Sequence, residues 1–219
     1  MAKVIIFGQR DYAAQALYYL THDSPHEVVA FSVTDDQCKS DAAFGLPLIP
    51  FEEIQDRFPP DDHHFLVPMS GRSMNRLREQ FYLAAKEKGY PFISYVSSKA
   101  ITCQNEIGEN CFILENTNIQ PFVRIGNNVV IWCHNHIGHH STIEDHVWMG
   151  SGVIISGRCT IGSHSYLASK TLIEANLRLA QGTLTGSTSY LKKNTEPWTI
   201  HTGNPATQRK VSSKDFDFL

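Results

Sequence analysis

Along the first 98 residues, apolar runs short enough for strands alternate with stretches of helical period. Residues 4–7 (VIIF), 28–33 (VVAFSV), 65–69 (FLVPM) and 92–95 (FISY) predict strands, and residues 12–20, 51–57 and 74–88 predict helices. In the last helix Leu77, Phe81 and Ala84 or Ala85 share one stripe, with Ser73 as N-cap and Gly89 as stop signal. The alternation predicts a small Rossmann-like parallel α/β domain over residues 1–98.

From Ile101 the period becomes six. Aliphatic residues recur at Ile101, Ile107, Ile113, Ile119, Ile125, Ile131, Ile137, Ile143, Met149, Ile155, Ile161, Leu167, Ile173 and Leu179; Thr185 breaks the series and Leu191 resumes it. The residue four places on is usually small or β-branched, as at Thr117, Val123, Ser141 and Val153, and glycine often follows the aliphatic position, as at Gly108, Gly126, Gly138 and Gly162. Neither a helix nor a strand repeats at six. A parallel β-helix does, each hexapeptide forming one wall of a prism and three forming a coil, so residues 99–219 are expected to form one.

Composition narrows the function. The 219 residues are 42% hydrophobic with a formal charge of −3, and no run of basic residues interleaves with aromatics, which argues against nucleic acid as a partner. The opening "MAKVIIFG" is too short for a signal-peptide core or a membrane span, so a cytoplasmic location without membrane attachment is expected. Five cysteines, odd in number and without a C-x-x-C pair, read as reduced thiols.

Stacking the coils by eighteen puts His139 in a column with Pro121 and Gly157, and His140 in one with Phe122 and Arg158. His146 falls over His164, and Trp148 over Tyr166. The outward positions place His134, His139, His140 and His146 on the prism surface. There Trp132, Trp148 and Tyr166 call for a partner surface. An outward imidazole can accept a proton near neutral pH, and Gly157, lacking a side chain, can offer its N–H to an oxyanion. His134, His136 and His140 suit a surface or subunit contact, and His146 over His164 a side-chain ladder, since no carboxylate or third histidine shares that column. In the first domain "IFGQRDYA" follows a strand and opens a helix. Only Gly8 of a G-x-G-x-x-G pattern is present, but the turn can still present backbone N–H groups and Arg10 to a diphosphate. Arg72 and Arg78 read as solvated cations.

The [Ile/Leu/Val]-Gly-x-x-small-x repeat, the α/β domain before it and the tail "TGNPATQRK" resemble the hexapeptide-repeat bacterial sugar acetyltransferases. That family includes N-acetyltransferases of nucleotide-linked amino sugars and O-acetyltransferases of sialic acid. The resemblance implies a left-handed β-helix, a homotrimer, acetyl-CoA as co-substrate and no metal. It makes His139 the general base and Gly157 the oxyanion donor, with His140 and His134 as auxiliary candidates. It puts the nucleotide-linked amino sugar at Gln9, Arg10, Asp11, Thr34, Asp35, Met69, Ser70 and Gly71. Acetyl-CoA then falls at Trp148, Gly157, Ser169, Gly186 and Ser187, with Lys192 and Lys193 toward its phosphates. Two features depart from the family: Gly138 and His140 stand where acidic neighbours flank the base, and Trp148 where a histidine lies near acetyl-CoA. The reading that follows is N-acetylation of a nucleotide-linked amino sugar for surface polysaccharide synthesis. Three alternatives stand beside it. One is sugar O-acetylation. The second is a carbonic-anhydrase-like zinc site on His134 and His139, whose third ligand is missing because no histidine lies between His64 and His134. The third is a non-catalytic trimeric scaffold.

Overall fold

A computed structural model describes residues 1–216. The first domain is built on β1 (Lys3–Phe7), α1 (Asp11–Asp23), β2 (Glu27–Val33), β3 (Ala42–Ala43), β4 (Leu46–Pro50), α2 (Ile54–Arg57), β5 (His63–Leu66) and α3 (Arg76–Glu87). The sheet order is β3-β4-β2-β1-β5, parallel except for β3 against β4. Val4, Ile6, Phe31 and Leu66 pack on α1 through Ala13, Ala16 and Leu20. On the opposite face Ile5, Phe65 and Val67 meet Ala85 of α3.

Three sequence expectations change here. Strand β4 is absent from the prediction because Pro47 and Pro50 mask it; both are tolerated because only the two-residue β3 lies beyond it. Ser73 does not cap α3. Residues 73–75 all take positive φ, and Asn75, at the N-cap, sends its side chain to the carbonyls of His164 (3.0 Å) and Ser165 (3.2 Å) instead. Residues 92–95 are not a sheet strand either: only Phe92 bridges to Phe65, and Tyr95–Val96 leaves to pair with Phe112–Ile113.

That hand-over starts the β-helix. Two-residue strands at six-residue spacing stack into three walls, each pairing in parallel with the strand 18 residues away, as in His136↔Ile154 and Ile137↔Ile155. The first wall carries Arg124–Ile125, Thr142–Ile143 and Thr160–Ile161; the second Val130–Ile131, Trp148–Met149 and Tyr166–Leu167; the third His136–Ile137, Ile154–Ile155 and Leu172–Ile173. The second residue of each pair points inward, and Ile113 through Leu179 form one buried column. Ile101 is 61% exposed at the open end, outside the column that its place in the repeat predicts. Thr185, where the pattern breaks, is buried, and its hydroxyl meets Thr171 Oγ1 at 2.7 Å and accepts from Ala168 N–H at 3.0 Å. A bonded hydroxyl is admissible inside where a bare one is costly.

Every sixth residue from Gln104 to Thr188 has a positive φ, turning the chain at a corner. Outside glycine, Asn, Asp and His enter this left-handed region most readily. That accounts for His134, His140, His146 and His164 without reference to chemistry.

Candidate active site

The outward face of the second wall, Phe112, Val130, Trp148 and Tyr166, is covered by the first domain. Trp148 stacks on Tyr166 with ring centroids 4.3 Å apart, and Tyr12 of α1 meets Trp132 edge-on. The partner for these rings is therefore the chain's own α/β domain rather than another subunit, and Trp148, 8% exposed, stands buried in that contact. Arg78, expected in solvent, is fully buried here. It donates to the carbonyls of His146 (2.9 Å) and Val147 (3.2 Å) and to the side-chain oxygens of Asn75 (3.1 Å) and Asn128 (3.2 Å). Desolvation pushes its pKa down to about 9.

His146 is likewise covered, contrary to its predicted surface position. The carboxylate missing from the His146–His164 column comes from α3: Glu79 Oε1 lies 3.4 Å from His146 Nε2, and Oε2 lies 3.0 Å from His164 Nε2. Among the described residues this is the one group of three able to approach a metal ion. Asn128 settles the proton at His146. Its Oδ1 accepts from Asn110 (2.8 Å) and Arg78, so its Nδ2 donates to His146 Nδ1 at 2.8 Å. His146 Nε2 therefore carries the hydrogen and donates toward Glu79, which makes the trio a hydrogen-bonded clamp between domains. Burial, aided by the adjacent His164, pushes the His146 pKa down to about 4.

The corner between the third and first walls is different. His139 and His140 are both exposed there, their rings near perpendicular and their Nδ1 atoms 3.0 Å apart. One coil on stands Gly157, where an added Cβ would lie 2.8 Å from both Cε1 and Nε2 of His139. The glycine thus makes room for the imidazole itself, not only for an incoming acyl group.

The backbone at this corner explains Gly138. The His139 N–H donates to Gln120 Oε1 at 2.9 Å, a side chain nineteen residues back. The counterpart of Gln120 one coil on is Gly138, which has no side chain to give, and a Cβ there would sit 2.6 Å from Gly157 N. Among the described residues the Gly157 N–H meets no acceptor. An imidazole Nε2 and an uncapped N–H therefore share one corner. In the sequence Gly138 stands as a repeat glycine and a missing acid; its role shows only in the register of the side-chain caps.

The other predicted residues divide. Gln9, Arg10, Asp11, Met69 and Ser70 line one cleft with Tyr12 and Arg72, at the C-terminal ends of β1 and β5. Thr34 and Asp35 fall outside that lining, and the Asp35 N–H is taken by Glu52. Gly71 packs on the β-helix, where a Cβ would lie 2.5 Å from the Tyr166 ring. Gly186 and Ser187 line a second groove with Arg209 and Lys210 of the C-terminal hairpin, two cations the sequence reading passed over for Lys192 and Lys193. Ser169 is exposed at the same corner as Ser187, between the second and third walls. His134 stands at that corner too, its Nε2 3.5 Å from Asn116 Nδ2, away from His139.

The bacterial transferase hexapeptide (six repeats) family profile matches residues 106–139. No curated protein sequence matches the chain. Among solved structures, a variant of perosamine N-acetyltransferase from Caulobacter crescentus, in complex with CoA and GDP-perosamine, superposes with a TM-score of 0.83 at 15% identity over 96% of this chain and 98% of its own. The acetyltransferase domain of PglB from Neisseria gonorrhoeae gives 0.81 at 16% identity over 95% and 100%. WeeI from Acinetobacter baumannii gives 0.68 at 17% over 95% and 100%. At these identities the likeness establishes the fold: a Rossmann-like domain followed by a left-handed β-helix. Among the described residues no helix is long and apolar enough to cross a membrane.

Proposed function

We propose that this chain is an acetyl-CoA-dependent N-acetyltransferase acting on a nucleotide-linked amino sugar. The observation that carries the reading is the corner where His139 Nε2 lies against Gly157 beside its uncapped N–H. Acyl transfer to an amine needs a group to take the proton and a donor aimed at the oxyanion. The amine nitrogen attacks the thioester carbonyl and gives its proton to His139 Nε2, the C–N bond forms, and charge gathers on the oxygen opposite the Gly157 N–H. The C–S bond then breaks, and the proton held on His139 Nε2 passes to the departing thiolate. The structural relatives carrying CoA and GDP-perosamine support the substrate class. The cleft holding Gln9, Arg10, Asp11, Met69 and Ser70 supplies the cation and open turn that a nucleotide diphosphate needs.

Ser169, Gly186 and Ser187 sit at a different corner from His139, so an acetyl-CoA reaching both sets would bridge two copies of the chain. Ile154 and Leu172, 45% and 36% exposed on the third wall, give such a contact an apolar surface. Both points support a homotrimer, which light scattering of the purified protein checks. In the cytoplasm such an enzyme would feed surface polysaccharide synthesis.

The central test is H139A and H139N assayed with acetyl-CoA against UDP-, GDP- and dTDP-linked amino sugars. A loss of roughly 10² to 10⁴ in kcat with little change in KM is expected for a lost base. Activity within about threefold of the parent refutes the assignment.

A further inference from the structure

The left-handed turn positions at two corners of the prism hold Asn110, Asn128, His146, His164 and Gly182, or Asn116, His134, Gly152, Lys170 and Thr188. At the third-to-first corner they hold Gln104, Phe122, His140, Arg158 and Asn176. Phe122 is the poorest occupant of the set, a bulky ring at φ 65° and 72% exposed, favoured by neither backbone nor burial. Its ring lies 4.6 Å from that of His140. A strained residue persists where its surroundings use it, and what Phe122 supports is the neighbour of His139.

The two Nδ1 atoms at 3.0 Å require one ring to donate and the other to accept. If His140 donated, the proton of a neutral His139 would stand on Nε2, and no lone pair would face Gly157. We propose that His140 is the positioning residue of the site: its Nδ1 accepts the Nδ1–H of His139, keeping the His139 lone pair on Nε2. This fills the place left by the missing carboxylate with a neutral acceptor. The groups facing His140 are His139, Arg158 from the coil above, and Glu106, Arg124 and Cys103 across the adjoining cleft, where Arg124 pairs with Glu106 at 3.1 Å. Desolvation between its neighbours, and then the Arg158 charge, hold the His140 pKa below the ordinary histidine value. A neutral partner steadies an imidazolium less than a carboxylate does.

The kinetic arm of the test rests on the acetyl-transfer reading; a spectroscopic arm does not. H140A is expected to lower kcat about tenfold or more with KM for both substrates within about twofold. H140N, which keeps an acceptor oxygen and suits the left-handed backbone, stays within about threefold of the parent. H140D moves the acid limb of the kcat/KM profile up by about one pH unit. An H140A enzyme with parental kcat, or an H140D enzyme with an unmoved limb, overturns the proposal. Independently, nitrogen NMR of the imidazoles in the substrate-free full chain should find His139 in the Nδ1–H tautomer, reverting in H140A to the Nε2–H form of an unrestrained ring. A parent already in the Nε2–H form overturns the proposal whatever the activity. The Nδ1–H form without detectable acetyl transfer upholds the positioning and refutes the acetyltransferase reading.

Discussion

Five of the histidines from His134 to His164 earn their places by different rules. His134, His140, His146 and His164 stand where the chain must turn left-handed, so their spacing follows the coil rather than a ligand set. His139 does not, and nothing in the turn geometry demands it. Gly157 is tied to it in turn, because any side chain there displaces the ring. In G157A the new methyl would lie 2.8 Å from His139 Nε2, and the ring, being exposed, can swing away without unfolding the coil. The expected result is an acetyl-transfer rate down by roughly 10²-fold, the scale of an ångström-sized misplacement, with a melting temperature near the parent's. Parental activity in G157A would show that the close approach is incidental.

At the scale of elements, α3 does the unforeseen work. Of its predicted stripe only Ala85 is fully buried; Leu77, Phe81 and Ala84 are half-buried, and Arg78 and Tyr82 complete the buried face. The helix period revealed the apolar face. It could not reveal that a polar face meets a second domain, because that contact joins residues far apart in sequence. The clamp that α3 makes through Glu79 carries a pH signature. His146 is neutral when folded, with its pKa near 4 against ~6.5 for a free histidine. Between these values the unfolded chain binds a proton that the folded one refuses. The stability tied to this group is therefore complete above pH ~6.5 and is lost progressively as the pH falls toward 4. Thermal melts should show a lower melting temperature at pH 5 than at pH 7. H146N, which removes the titrating ring and keeps a residue suited to the left-handed turn, should flatten that dependence.

At the scale of the molecule, the hexapeptide register was legible because every inward position repeats one demand, and eighteen-residue stacking then placed His139 against Gly157. The covering of the second wall was not legible, since Trp148 and Tyr166 look the same in sequence whether another subunit or the chain's own first domain meets them. Arg78 shows how tightly the two domains are joined. R78M would take a donor from the His146 carbonyl and the Asn75 side-chain oxygen, while the Val147 carbonyl keeps Val130 N–H and Asn128 Oδ1 keeps Asn110. A loss of order 3 kcal/mol in denaturant unfolding is expected; a change below about 0.5 kcal/mol, the size of an ordinary surface substitution, would mean that the domains do not depend on it. The three-walled stack also sets the currency in which this chain can change length. A six-residue insertion between His139 and Gly157 would carry every later residue to the next wall and deliver the glycine to the wrong corner. A duplication of eighteen would keep the walls in phase but separate the pair by a whole coil. Between His139 and Gly157, then, the walls themselves can neither lengthen nor shorten without parting the pair.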